Sequence, residues 1–291
     1  MSCVKLDLLC PVKNGGEAFL GTIRSMKCPE LKDLFRIVIS DNYSTDDRPW
    51  MVALDEMKDC NIELLKPPRP LDRIEHWNWL AGKATSDTAR FIMSGDIPAI
   101  IAARKAVDVL LSDPTFAFTF GPHEVSFEEK VERHSCKPPV GRFDRDAALR
   151  LCLDVMNPFG GPSGVTFRRD KLCKVLPFEV EYPWSADMRL FLRCLEHGSC
   201  FGLEELQQTQ ERRIARFSSS RRAIWIAFKE EWVLHSEVQQ LLGVCGVAAY
   251  RNLFSTVLLP TVAKLGRALI PLRPRKWLGA IYRKITGCAN V

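Results

Sequence analysis

Two apolar runs of this chain end in acidic residues, and that pattern constrains the fold more than any other feature of the sequence. The run FRIVIS (35–40) leads into Asp41, and the run ARFIM (89–93) leads into SGD, which ends in Asp96. In open α/β sheets, ligands gather at the carboxyl ends of the strands. If these strands are parallel, both carboxylates face one crevice. One would contact a base or ribose, and the other would hold a divalent cation against phosphate oxygens. The pattern therefore predicts a nucleotide-diphosphate site.

Short apolar runs alternate with helical patterns over the first 120 residues. Strands are predicted at 4–10, 35–40, 61–66, 89–93 and 116–120, with a helix after each of the first four. This alternation predicts an α/β fold with a mostly parallel central sheet, flanking helices and right-handed crossovers. Residues 121–143 are polar and predict a long loop or a small insertion. A helix from about Asp144, a strand at PSGVTF (162–167) and a helix from Ser185 follow.

The composition is that of a globular protein that needs no disulfides. Of 291 residues, 46% are hydrophobic and 26% are charged, so the chain can bury a large core. Eleven cysteines are scattered without a C-x-x-C pair or a histidine at zinc-ligand spacing, which argues against a zinc site and favours a reducing compartment. The N-terminus lacks a signal-peptide layout, and no run of about eighteen apolar residues occurs. We therefore expect a cytoplasmic protein without a membrane-spanning helix.

Five segments resemble family 2 glycosyltransferases, which have the GT-A fold. The S-T-D block is the most specific of them, and their order and spacing reinforce one another between about Val4 and Arg216. The segments are CPVKNGG (10–16), SDNYSTDD (40–47), HWNWLAGKATSDTARFIMSGD (76–96), PSGVTFRRD (162–170) and WSADMRLFLRCLEHG (184–198). The resemblance implies inverting transfer of a sugar from a nucleotide-diphosphate sugar to a hydroxyl acceptor, with Mn²⁺ or Mg²⁺ as the cofactor.

The resemblance also assigns a donor site. Asp41 matches the acid that contacts the nucleotide base. Asp96 matches the metal ligand, although the family's D-x-D pattern here is Ser94-Gly95-Asp96 and leaves a single carboxylate. The other residues that the resemblance places at the nucleotide are Pro11, Asn14, Asn42, Arg73, Asn78, Ser94 and Gly95.

The acceptor side follows from the later segments. Asp187 matches the base that takes the proton from the acceptor hydroxyl, with Glu179 and Glu181 as the nearest alternatives. Ser163 and Gly164 are expected to leave room for the acceptor. Two arginines further along the chain are candidate contacts of the diphosphate; they are Arg213 and Arg216.

The C-terminal end is strongly basic. Glu237 is the last acidic residue, and eight cations follow from Arg251 onward among Leu, Ile, Trp and Tyr. We divide the chain into a catalytic domain at 1–235 and a basic amphipathic helical extension at 236–291. Such a segment favours docking on an anionic membrane surface, on the inner face of the membrane, near a lipid-linked or cell-surface glycan acceptor. The alternative is a set of helices that completes the core. The apolar content argues against nucleic acid as a partner.

Two other functions remain open at this point. A sugar nucleotidyltransferase usually has a Gly-rich, basic loop after its first strand, and CPVKNGGEA has only Gly15, Gly16 and one Lys. A non-catalytic binding or scaffold protein on a degenerate GT-A fold is suggested by the single carboxylate of the D-x-D segment. Donor hydrolysis with Mn²⁺ would separate that scaffold from the enzyme.

Overall fold

The computed structural model describes residues 4–127, 130–155, 157–212, 221–246, 249, 253–258 and 261. Its strands are β1 (Leu6–Val12), β2 (Phe35–Asp41), β3 (Ile62–Leu65), β4 (Thr88–Phe91), β5 (Asp96–Pro98), β6 (Phe116–Phe120), β7 (His123–Phe127), β8 (Lys130–Cys136), β9 (Gly141–Phe143), β10 (Thr166–Arg168), β11 (Ser199–Gly202) and β12 (Gln208–Arg212). Its α-helices are α1 (Gly16–Ser25), α2 (Met51–Glu56), α3 (Arg73–Ala81), α4 (Ile100–Ser112), α5 (Arg145–Asp154), α6 (Arg169–Val175), α7 (Ala186–Leu195) and α8 (Arg221–Leu241).

The main sheet has eight strands in the order β3-β2-β1-β4-β10-β6-β11-β9. The pairs β3·β2, β2·β1, β1·β4 and β6·β11 are parallel, whereas β10 and β9 run antiparallel to their neighbours. The predicted mostly parallel sheet with flanking helices is therefore confirmed. Because β3, β2, β1 and β4 are adjacent and parallel, their carboxyl ends lie along one edge of the sheet.

The core forms on both faces of this sheet. All seven residues of β1 are buried, which explains why the strand is almost continuously apolar. Leu8 packs on one face with Phe19 of α1, and Leu9 packs on the other face, in the cluster that holds Phe91 and Phe191. This double burial makes the strands rigid, and a rigid strand end can position a side chain accurately.

Residues 121–143 were predicted to be a long loop or a small insertion, and the loop alternative was wrong. Strands β7 and β8 form an antiparallel hairpin, and with β5 and β12 they make a second sheet in the order β5-β12-β7-β8. A strand that is not buried on both faces alternates polar and apolar residues, as in HEVSF, and so lacks the apolar run that marks the strands of the main sheet. This second sheet places Asp96 opposite Gln210 of β12.

Helix α8 runs from residue 221 to residue 241, across the predicted domain boundary at 235. The boundary itself stays a prediction, because most of 242–291 lies outside the described residues. Among the helices that the structure describes, none combines the length and the apolar character needed to cross a membrane.

Candidate functional site

Asp41 lies at the edge of the main sheet where β1 and β2 end. It is in register with Val12, and the Asn42 N–H donates to the Val12 carbonyl at 2.8 Å. The Asp41 Oδ1 accepts from the Ser44 N–H at 3.1 Å, and its Oδ2 lies 3.6 Å from an Arg48 guanidinium nitrogen. The side chain keeps 16% of its surface exposed. Asp41 is therefore held at the strand end and remains accessible to a ligand.

Asn14 joins the loops that follow β1 and β2. Its Oδ1 accepts from the N–H groups of Thr45 at 2.7 Å and Asp46 at 3.3 Å, and its own N–H donates to the Ser44 Oγ at 2.9 Å. Asn14 has a φ of 51°, in the left-handed region that asparagine tolerates better than most residues. The side-chain oxygen of this predicted donor residue thus holds the loop at the edge of the site.

Two further residues that were predicted to contact the nucleotide form side-chain hydrogen bonds to the backbone instead. Asn42 is buried, donates to the Leu71 carbonyl at 2.7 Å and accepts from the Leu71 N–H at 2.9 Å. Asn78 likewise donates to the Phe178 carbonyl at 3.0 Å and accepts from the Phe178 N–H at 2.6 Å. Both side chains therefore position segments around the site. Pro11 lies within β1, buried and in register with Ser40.

Asp96 follows the end of β4 and is the first residue of β5. Strand β4 is the neighbour of β1 in the main sheet. Asp96 is 7% exposed, and the Ser163 Oγ donates to its Oδ2 at 2.6 Å. Ser163 in turn accepts from the Met93 N–H at 2.9 Å. Gly95 has a φ of 85° and donates its N–H to the Thr22 Oγ1 at 2.9 Å, so the turn Ser94-Gly95 needs glycine. The bonds from Gly95 to Thr22 and from Ser163 to Asp96 fix this turn and orient the Asp96 carboxylate.

The turn at Pro162–Gly164 lies under Asp96. Ser163 and Gly164 were predicted on the acceptor side, and both are buried. The structure shows what Ser163 does here: it holds Asp96 and the end of β4.

The side chains around Asp96 decide whether a divalent cation fits here. No cluster of three His, Cys, Asp or Glu side chains suited to a metal occurs in the described part of the chain. Asp96 alone supplies a nearly buried carboxylate at the predicted position. A single carboxylate fits the mode in which Mg²⁺ or Mn²⁺ is shared with substrate phosphate oxygens, and it does not fit a metal held by the protein alone.

Asp187 lies in the first turn of α7. Its Oδ1 accepts from the Met188 N–H at 2.8 Å. Burial raises the pKa of Asp187 to about 6, and the nearby charge of Glu230 acts in the same direction, whereas backbone hydrogen bonds and the charge of Arg73 oppose the shift. Arg73 donates to the Pro183 carbonyl and lies over the Trp77 ring, 5.3 Å from its centroid. The structure thus brings Arg73, predicted at the donor, next to the predicted base.

The alternatives to Asp187 have other surroundings. Glu179 accepts from Arg189 at 3.2 Å and lies 3.7 Å from Arg193, and Glu181 is exposed. Arg213 and Arg216 lie outside the described residues.

Glu230 of α8 is a residue of the site that the sequence analysis missed. Its Oε2 accepts from the N–H groups of Trp184 and Ser185 at 2.9 and 2.8 Å, and from the Ser185 hydroxyl at 3.0 Å. Glu230 therefore caps the start of α7 beside Asp187. A signal was present, because Glu230 falls in the buried stripe of α8, between Ala227 and Leu234.

Arg90 of β4 was also missed. It is fully buried, and burial lowers its pKa to about 9. Its guanidinium donates to the Gln207 Oε1 at 2.5 Å and to the Gly164 carbonyl at 3.4 Å, so it supports the turn under Asp96. Its signal was a charged residue inside the apolar run ARFIM.

The fold is shared with glycosyltransferases of known structure. No protein-family profile matches the sequence, and a comparison with curated proteins found no match. TarS 1–349 from S. aureus in complex with UDP-GlcNAc is 13% identical, with a TM-score of 0.62 over 98% of this chain and 89% of that chain. The mannosyltransferase PcManGT from Pyrobaculum calidifontis, in complex with GDP-Man and Mn²⁺, is 13% identical, with a TM-score of 0.57 over 99% and 81%. These likenesses confirm the predicted GT-A fold class.

Proposed function

We propose that this protein is a glycosyltransferase that moves a sugar from a nucleotide-diphosphate sugar to a hydroxyl group. The observation that carries the proposal is the pair Asp41, at the end of β2, and Asp96, which follows β4, on either side of β1, with a third acid of raised pKa, Asp187, at the start of α7. Adjacent strands lie about 4.8 Å apart and β1 separates β2 from β4, so one nucleotide has to span roughly 10 Å along this edge. The likeness in fold to enzymes bound to UDP-GlcNAc and GDP-Man supports this class of donor.

The donor side of the proposed site is the edge of the main sheet. Asp41 contacts the nucleotide, and the loops joined by Asn14 shape its pocket. Asp96, held by Ser163, is the protein ligand of a divalent cation, which supplies charge stabilisation to the departing diphosphate. Arg213 and Arg216 are proposed as further contacts of the diphosphate.

On the acceptor side, Asp187 is the proposed general base. It takes the proton of the acceptor hydroxyl while that oxygen bonds to the anomeric carbon, and the bond from this carbon to the diphosphate oxygen breaks with its electron pair on the leaving group. Attack opposite the leaving group inverts the configuration. A pKa of about 6 keeps most of Asp187 ionised near neutral pH and makes it a better proton acceptor than an ordinary aspartate.

The acceptor class is proposed from the basic C-terminal segment. Eight cations and no acid among apolar residues favour an acceptor at a membrane, such as a lipid-linked or cell-surface glycan intermediate. The protein would then act on the cytoplasmic side, bound peripherally. Residues 1–235 are the proposed catalytic domain and residues 236–291 the proposed extension.

The test is a thermal-shift series with nucleoside diphosphates and nucleotide sugars, with and without Mn²⁺, followed by donor hydrolysis. A ligand that binds only the folded state raises its melting temperature. We expect one nucleotide to do so, more strongly with Mn²⁺, and Asp96→Asn to remove most of the Mn²⁺ effect and most of the hydrolysis. Asp108→Asn, on the exposed face of α4, is the matched control.

Two outcomes would contradict the proposal. Full activity of Asp96→Asn in the presence of a chelator would remove Asp96 from the site. Nucleotide binding without any hydrolysis or transfer would favour the scaffold, which the single carboxylate at Asp96 keeps as the second candidate.

A further inference from the structure

The outward side of α8 carries a stripe of aromatic and basic residues. Arg222, Trp225, Lys229, Trp232 and Val233 recur at helical spacing on one face, and we call this face the α8 stripe. Trp225 is 51% exposed, Trp232 is 37% exposed and Val233 is 39% exposed. The opposite face of α8 is buried, and the helix does not need the stripe for its own packing. Its buried residues are Ala223, Ile224, Ala227, Leu234 and Val238, with the polar Glu230, His235 and Gln239.

The acidic residues of α8 are all directed to other partners. Glu230 caps α7, Glu231 accepts from the Trp184 Nε1 at 3.1 Å, and Glu237 accepts from Arg189 at 3.0 Å. The two charged residues of the stripe, Arg222 and Lys229, are therefore not neutralised by an acid of α8. The sequence from residue 212 to residue 229 adds to this charge, with six cations and no acid; they are Arg212, Arg213, Arg216, Arg221, Arg222 and Lys229.

We infer that the α8 stripe docks the protein on an anionic lipid bilayer. Tryptophan prefers the interface between headgroups and acyl chains, where its ring is in apolar surroundings and its N–H stays hydrated. A cluster of Lys and Arg beside such residues is attracted to anionic headgroups. This surface is distinct from the segment after Arg251, on which the predicted membrane contact rested.

The geometry of the rings argues against a carbohydrate platform. Trp225 packs edge-to-face on Phe228 at 5.6 Å and 83°, and Phe228 meets Trp232 at 5.6 Å and 57°. The rings are not coplanar, so they do not form one flat surface for a sugar chain. A second copy of this chain is also disfavoured, because a two-fold contact through the stripe would bring Arg222 and Lys229 close to the same cations of its mate.

Docking through the stripe would suit the proposed reaction. Glu230, on the inner side of α8, contacts Ser185 beside Asp187, so one helix diameter of roughly 10 Å separates the stripe from the region of the proposed base. An acceptor anchored in the bilayer would then lie within reach of Asp187. This consequence rests on the proposed function, whereas the binding to lipid does not.

The experiment measures co-sedimentation of the full chain with phosphatidylcholine vesicles, with and without phosphatidylglycerol. We expect binding to the anionic vesicles only. Trp225→Ser with Trp232→Ser should weaken it at least about tenfold, because both interfacial anchors are removed. Arg222→Gln with Lys229→Gln should weaken it by about fivefold for each cation. Ile101→Ser with Lys105→Gln, on the exposed face of α4, is the matched control and should bind like the unmodified chain.

Thermal melts show whether each variant is folded, and the Arg222/Lys229 variant tests the stripe without changing an aromatic residue. The inference is overturned if both stripe variants bind vesicles like the unmodified chain, if neutral vesicles bind equally well, or if only a soluble polyanion such as polyphosphate binds. Vesicle binding is measured without donor or acceptor, so failure of the proposed function would leave this result unchanged.

Discussion

At the scale of single residues, the chemistry of Asp187 depends on its burial. A buried carboxyl group loses hydration mainly in its charged form, so the folded protein binds a proton at Asp187 at a higher pH than the unfolded chain does. Ionisation of Asp187 therefore destabilises the fold above about pH 6, and this effect disappears as the pH falls toward the ordinary value of 3.8. A residue that weakens the fold when charged is a candidate for function.

We expect kcat/KM to rise with pH through about 6 and then to level off, because the base must be ionised. Asp187→Asn should remove this rise and lower turnover by about a hundred- to ten-thousand-fold, with donor binding nearly unchanged. Glu181→Gln, at an exposed alternative base, is the control. A pH–rate profile of the three proteins checks the prediction, and unchanged turnover in Asp187→Asn would move the role to another acid.

Ser163 acts on the same chemistry through Asp96. Ser163→Ala removes the hydroxyl that donates to Asp96 and accepts from Met93, so the carboxylate loses its fixed orientation. We expect the affinity for Mn²⁺ in the presence of nucleotide to fall by roughly tenfold, since a positioned ligand of a metal typically loses that much without its partner. Mn²⁺ titration of the nucleotide complex measures this. A lower melting temperature with unchanged Mn²⁺ affinity would show that Ser163 serves the fold alone.

At the scale of elements, α8 determines where α7 begins. The Glu230 carboxylate of α8 accepts three hydrogen bonds from Trp184 and Ser185 at the start of α7. The acceptor for these donors therefore comes from a different helix. The start of a helix leaves N–H groups without intrahelical partners, and a carboxylate there also interacts favourably with the helix dipole. The position of Asp187 thus depends on a contact between two helices.

Glu230→Ala should destabilise the protein by roughly 2–4 kcal/mol, because the N–H of Trp184 and the buried donors of Ser185 lose a charged acceptor. It should also move the pH–rate rise to lower pH, since the charge of Glu230 raises the pKa of Asp187. Glu231→Ala, which removes one bond to the Trp184 indole, should lower the free energy of unfolding by about 1 kcal/mol or less. Denaturant melts and the pH profile are the measurements, and equal effects of the two variants would contradict the prediction.

At the scale of the whole molecule, Asp7 ties three central strands together. It is fully buried in β1, forms two hydrogen bonds of 2.9 Å with Arg36 of β2, and accepts from Thr85 and Ser86 just before β4. Burial alone would raise the pKa of Asp7, but these hydrogen bonds outweigh it and hold the pKa below its usual value. The stability that Asp7 contributes is therefore present above pH 3.8 and is lost as the pH falls through the lowered pKa.

Asp7→Asn should lower the free energy of unfolding at neutral pH by roughly 3–5 kcal/mol, because Arg36 loses its buried partner. The variant should also lose less of its remaining stability in acid. Asp87→Asn removes an exposed pair with Lys5 at the same end of the sheet and should change stability by at most about 1 kcal/mol. Urea melts at neutral and acidic pH compare the three proteins. An Asp7→Asn protein as stable as the Asp87→Asn control would rule out this role.

Local sequence pattern was enough to predict six of the eight strands of the main sheet and the places of the three acids, but not the short strands β9 and β11. The buried strands are continuous apolar runs, and the residues that follow them mark their ends, so the places of Asp41 and Asp96 could be predicted from local pattern. The start of α7 could be predicted from the helical spacing of its apolar residues. The hairpin β7–β8 could not, because its alternating polar residues resemble those of a loop.

The partners that hold those acids come from distant parts of the chain and are set by tertiary packing. Ser163 lies 67 residues from Asp96, Glu230 lies 45 residues from Ser185, and Asn78 lies 100 residues from Phe178. A polar side chain bonds to whichever donor or acceptor is left without water once the elements have packed. That choice depends on which surfaces meet, and no local sequence pattern contains it.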